Sequence, residues 1–148
     1  MLNPERIMLN FKEIDEALEQ LERIKRMHLE EFLNNPDYRY IAYASFIIFA
    51  EAVIDICYHF AVKKFKLTPS TYAECFEILK EKGIFSQNIS EALSSMDRFR
   101  NLLIHRYKQV DFKKVYEFTK NLEVIGEFKK TVIKLLEAET ENHERKTH

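Results

Sequence analysis

Apolar residues recur at helical spacing along nearly the whole chain. Ile7, Phe11, Ile14, Leu18 and Leu21 follow one another at alternating steps of four and three, the seam of a helix that packs in a bundle or hairpin. This first helix is predicted to start after Asn3, with Pro4 in the first turn, where its missing N–H is harmless. The pattern loosens beyond Ile24 and ends near Leu33, because Asn34-Asn35-Pro36 breaks the helix. The second helix is the most apolar, with Ile41, Ser45, Ile48, Phe49, Ala52, Val53, Ile56, Cys57 and Phe60 in one wide stripe. Its aromatic and β-branched content favours strand, but the run is too long and its period is helical. It is expected to stop around Phe65 to Leu67, before Pro69. A third helix fits Ser70 to Lys82, with Ser70 or Thr71 as cap and Gly83 just past the end. Ser90 can cap a fourth, carrying Leu93, Met96, Leu102 and Leu103. Asp111 can cap a fifth, with Val115, Leu122, Ile125, Ile133 and Leu136 facing inward. The expected fold is all-α, a compact helical bundle of about five helices. Residues 1–137 form the helical domain, and 138–148 a polar, flexible C-terminal tail that includes His143 and His148.

Composition narrows the function classes. A chain of 148 residues has room for one domain, and 46% hydrophobic residues with 12 Phe and 7 Tyr can build its core. The two glycines, Gly83 and Gly126, stand apart, so neither a phosphate-cradling loop nor a dinucleotide fingerprint is available. Lys plus Arg number 23 against 24 Asp plus Glu, so any nucleic-acid binding must come from a local patch. Cys57 and Cys75 show no metal-ligand spacing, and Cys57 reads as a small buried side chain in the apolar stripe. No leader pattern opens the chain, and no apolar run is expected to reach membrane-spanning length. The expectation is a soluble, cytoplasmic protein with no membrane association, no cofactor and no bound metal.

One segment departs from this bland background: Met96-Asp-Arg-Phe-Arg-Asn-Leu-Leu-Ile-His-Arg-Tyr-Lys-Gln-Val-Asp111. From Arg98 to Lys114 the chain carries Arg98, Arg100, Arg106, Lys108, Lys113 and Lys114, with Asp111 the one acid. On a continuous helix Arg100 and Tyr107 share a face, and His105 sits about 140° round from Arg100. Such a set suits phosphate chemistry. Arginine presents a planar fork of donors matched to phosphate oxygens, and histidine exchanges a proton near neutrality. On RNA the neighbouring 2′-hydroxyl is the natural nucleophile, so no metal is needed. The plainer alternative is a helix end whose cations answer the macrodipole.

Arg100, four residues, His105, one residue and Tyr107 reproduce the Arg-x-x-x-x-His-x-Tyr signature of the HEPN superfamily, and the segment resembles the HepT-like ribonuclease toxins. The similarity extends through Phe99–Asp111 with Val115-Tyr116, through Ser70–Leu79 with Gly83-Ile84, and through Glu51-Ala-Val-Ile-Asp55, covering about Phe11 to Leu136. The resemblance implies a HEPN-like four-helix bundle core. It implies a homodimeric, metal-independent endoribonuclease of a HepT–MntA, type VII-like toxin–antitoxin pair, inhibited by a cognate nucleotidyltransferase. Arg100 is then expected to orient the scissile phosphate and His105 to handle the proton of the 2′-hydroxyl or the leaving oxygen. Asn101, Arg98, Arg106 and Lys108 are expected to bind RNA or support the site, and Tyr107 to contact substrate and accept AMP (AMPylation). The alternative is a non-catalytic nucleotide- or partner-binding module working with a nucleotidyltransferase.

Glu51, Asp55 and His59 fall at i, i+4 and i+8 and line one face of the second helix. That spacing admits a metal site, but the expected role is a polar stripe or support for Arg100 and His105. Tyr38, Tyr40 and Tyr43 are expected to anchor the bundle end.

Overall fold

The computed structural model of the chain describes residues 2–147. Local hydrogen bonds set most helix starts. The Asn3 side chain accepts from the Arg6 N–H at 3.2 Å and opens α1 (Pro4–Lys25). The expected first helix then divides at Arg26–His28, where the apolar seam fades, and α2 (Leu29–Asn34) follows. Phe32 of α2 is fully buried in a small cluster with Ile24, Ala42 and Val115. Asn35 accepts from the Asp37 N–H at 3.0 Å, and Pro36 occupies the first turn of α3 (Pro36–Lys63).

This helix is the centre of the molecule, with α1 packed along it. By length and composition α3 is apolar enough to cross a membrane, which departs from the expectation that no run reaches that length. Within the bundle its Phe46, Phe49, Val53, Ile56 and Phe60 are buried against the other helices. Cys57 is buried there too, and burial pushes its thiol well above the ordinary value; the buried Cys75 thiol rises to about 12 for the same reason.

Thr71 caps α4 (Tyr72–Glu81), accepting from the Glu74 N–H at 3.0 Å, while Glu74 reaches back to the Ser70 N–H at 2.9 Å. Gly83, at φ +78°, takes the left-handed conformation that ends this helix. The next cap is Ser86, not Ser90: α5 (Gln87–His105) begins once Phe85 has turned into the core, leaving Ser90 buried inside the helix.

Asp111 caps α6 (Phe112–Phe118) as expected, through the Lys113 N–H at 3.0 Å. A 3-10 turn over Thr119–Asn121 then separates it from α7 (Glu123–Thr147), dividing the expected fifth helix. The turn resets the inward face of α7. Phe128 and Val132 are buried, whereas Ile133, expected inside, is 40% exposed. The segment expected as a tail continues α7 to Thr147, and Glu139 in it accepts from Lys64 at 2.9 Å. The side chain of His143 and all of His148 lie outside the described residues. The result is seven α-helices among the described residues, with no strand.

Candidate functional site

The polar stripe of α3 forms one wall of a groove of about 620 Å³, closed by Arg6 of α1, Tyr72 of α4 and Arg100 of α5. Its members do different things. Asp55 is bound by Arg6, through Nε at 3.1 Å and through a second short contact from Nη2, and it accepts from the Asn10 amide at 2.8 Å. The hydrogen bond from Arg6 is the main cause holding its carboxyl below the usual range. His59 is buried, and its Nε2 accepts from the Asn3 backbone N–H at 2.8 Å. That bond requires the neutral ring with its proton on Nδ1. Burial, with the nearby Arg6 charge, lowers the pKa of the ring. Glu51, Asp55 and His59 therefore do not converge. Among the described residues no cluster of three or more His, Cys, Asp or Glu side chains is placed to hold a metal ion.

Arg100 occupies the other end of the groove. Its side chain is only 12% exposed. Nη2 donates to Asn101 Oδ1 at 3.1 Å and to Asp97 Oδ1 at 3.4 Å, Nη1 lies 3.8 Å from Glu51 Oε1, and Nε is buried without a hydrogen-bond partner among the described residues. The guanidinium carbon sits 5.2 Å from the centre of the Tyr72 ring. Arg100 and Tyr72 also line a second polar groove, of about 370 Å³, with Ser70, Thr71, Asp97 and Asn101. Asp97, three residues before Arg100, was within reach of helical spacing rules. Arg6, Asn10 and Tyr72 come from helices remote in sequence and carry no local signal.

His105 ends α5 and is exposed. At five residues' remove it lies about 140° round the helix from Arg100 and about 7.5 Å along it. No hydrogen bond or ion pair joins the two among the described residues. The helix stops before Tyr107, which lies in a 3-10 turn with Lys108 and Gln109. Tyr107 therefore does not share a continuous helical face with Arg100. Its ring, 37% exposed, packs edge-on against Tyr43 at 5.1 Å and near Phe112 at 5.9 Å. Tyr43 thus anchors the bundle end as expected and Tyr38 joins the smaller core cluster, but Tyr40 is 61% exposed. Arg106 and Lys108 are exposed beside Tyr107. Arg98 is turned to another face, donating to Ser95 at 3.1 Å and lining a surface hollow with Glu77 and Glu91.

The chain matches the HepT-like family, described as "Ribonuclease HepT-like", over residues 14–135. Among solved structures, the tri-AMPylated Shewanella oneidensis HEPN toxin in complex with MNT antitoxin gives a TM-score of 0.79 at 21% identity, over 88% of this chain and 97% of that one. A toxin–antitoxin structure with AMP-PNP gives 0.77 at 18%, over 86% and 97%. YutE, a cytosolic protein of unknown function from Bacillus subtilis, gives 0.78 at 16%, over 93% of each chain. At these identities the likeness establishes a shared fold. No curated protein matches the chain.

Proposed function

The chain belongs to the HepT-like ribonuclease family, and we propose that it is the endoribonuclease toxin of a two-component toxin–antitoxin pair, cutting RNA in the cytoplasm without a metal ion. The observation that carries this reading is the setting of Arg100. A nearly buried guanidinium stands where two polar grooves meet, and its carboxylate neighbours lie no closer than 3.4 Å. A phosphate oxygen is a stronger partner than either, since charge-assisted N–H···O bonds close to about 2.7–2.9 Å.

In the proposed reaction the 2′-hydroxyl of the RNA gives up its proton and its oxygen attacks the adjacent phosphorus. The bond from phosphorus to the 5′-oxygen breaks, and that oxygen takes a proton. The products are a 2′,3′-cyclic phosphate and a 5′-hydroxyl. Arg100 orients the phosphate and stabilises the charge growing on its oxygens. His105 moves one of the two protons. Asn101 holds the Arg100 fork, with Glu51 at its edge, while Arg106 and Lys108 grip neighbouring phosphates. A base and an acid are both required, yet each chain carries one motif histidine, and it lies about 140° round α5 from its own Arg100. A homodimer that faces two motifs across one cleft supplies the second.

The cognate nucleotidyltransferase antitoxin silences the site at Tyr107. The phenol oxygen attacks the α-phosphorus of ATP, pyrophosphate leaves and the phenol proton goes to solvent. The AMP added there brings bulk and negative charge beside Arg106 and Lys108.

The test is incubation of unmodified protein, checked by mass for AMP on Tyr107, with cellular RNA in EDTA beside His105→Ala. Wild-type cleavage leaving cyclic-phosphate ends, reduced about 10²-fold or more in the variant, is the expected result. RNA binding without cleavage identifies a non-catalytic module instead.

A further inference from the structure

We propose that Tyr72 is a positioning residue for Arg100, its ring being the plate that fixes the plane of the guanidinium. The kinetic side of this proposal rests on the ribonuclease reading; the structural side does not. Asp97 at 3.4 Å and Glu51 at 3.8 Å are both too long for a well-formed charge-assisted bond, and Asn101 supplies a single neutral acceptor. Nε, the atom through which arginine usually completes a bidentate pair, is buried and unpartnered. Beside the Asn101 bond, the contact left to set the orientation is the aromatic ring, whose centre lies 5.2 Å from Cζ. A cation held over an aromatic face is attracted by the ring quadrupole and keeps its N–H edge available for a phosphate. A carboxylate clamp would occupy that edge.

Tyr72 is itself firmly placed. It is the first residue of α4, directly after the Thr71 cap. Its ring meets Tyr58 edge-to-face at 5.3 Å, and the Tyr58 hydroxyl donates to the Pro69 carbonyl at 2.9 Å. The loop between α3 and α4 is thus braced from α3 up to the residue that carries the arginine. Tyr72 and Arg100 also line both polar grooves. Tyr58 is shared by both grooves too, so the aromatic pair and the arginine it faces are common to the two polar surfaces.

The test compares Tyr72→Phe, Tyr72→Leu, Arg100→Ala and the Tyr72→Leu/Arg100→Ala double variant in the full chain. One readout needs no turnover: the ¹H–¹⁵N resonance of Arg100 Nε. In wild type it is expected to exchange slowly and to be displaced by the ring current. Tyr72→Phe keeps both properties, and Tyr72→Leu returns the signal to that of a free arginine with the melting transition retained. The second readout is cleavage of a defined RNA. Tyr72→Leu is expected to lower kcat about tenfold to a hundredfold with KM nearly unchanged, as for a misplaced catalytic group. Tyr72→Phe stays within about threefold of wild type, and the double variant is no slower than Arg100→Ala alone. A Tyr72→Leu protein with the wild-type Nε signal or wild-type kcat overturns the proposal. So does a Tyr72→Phe protein as impaired as Tyr72→Leu, or an additive double variant. The expected Nε signals in a protein that cuts no RNA support the positioning role while overturning the ribonuclease reading.

Discussion

Glu51 and Asp55 stand one turn apart on the same stripe of α3, and their surroundings differ. Asp55 is enclosed by Arg6 and Asn10 and lies next to His59, which is tied to Asn3. This end of the groove pins α1 onto α3, and its polar groups satisfy one another. Glu51 has a side chain 58% exposed and, among the described residues, a single ion-pair neighbour, Arg100, at 3.8 Å. That end is loosely paired and holds an arginine with a buried, unpartnered Nε. One polar stripe therefore has two ends: a closed network that fastens helices, and a loosely paired one beside Arg100, where we propose that phosphate binds.

The largest expected effect tests the open end. Arg100→Lys keeps the charge but removes the planar fork, and kcat/KM for RNA is expected to fall about 10²- to 10³-fold. A lysine variant that cleaves at the wild-type rate would reduce Arg100 to a generic cation.

Next comes stability, where the two carboxylates should separate. Asp55→Ala leaves the Arg6 guanidinium and the Asn10 amide without their acceptor. The partly exposed ion pair contributes little by itself, so the expected loss is about 1–2 kcal/mol in urea unfolding. Glu51→Ala should stay within about 0.5 kcal/mol. Equal losses would erase the distinction between the two ends.

The smallest effect concerns pH. Folding lowers the pKa of His59 below its ordinary 6.5, so the unfolded chain binds the proton more readily. Stability from the neutral ring is complete above that value and is lost as pH falls through the folded pKa. The melting temperature should therefore drop on acidification from pH 7 towards 5, through about 6.5. In His59→Gln, which keeps an acceptor for Asn3 but does not titrate, that slope should be shallower. An unchanged slope would remove His59 from the closed network.

The helix caps were readable because each is a hydrogen bond within a few residues. Asn3, Thr71 and Asp111 cap as their sequence context predicts. The misplacements are instructive. Ser86 and Ser90 are equivalent as local caps, and the burial of Phe85 decides between them. Ile133 fits the inward helical period only if the fifth helix is continuous, and the 3-10 turn at Thr119–Asn121 shifts that period. The site followed the same division. Arg100, His105 and Tyr107 could be singled out because their spacing is a property of one segment.

By itself, then, the sequence determined an all-α bundle, several of the helix caps and the clustering of phosphate-type residues at the end of α5. These depend on period, capping and local charge, which act over one or two turns. Tertiary structure alone decided that Arg100 lies over Tyr72, that Asp55 serves Arg6 rather than Arg100, and that Tyr107 packs edge-on against Tyr43. Those outcomes depend on how remote helices are rotated against one another as their apolar faces pack, and no short stretch of sequence records that rotation.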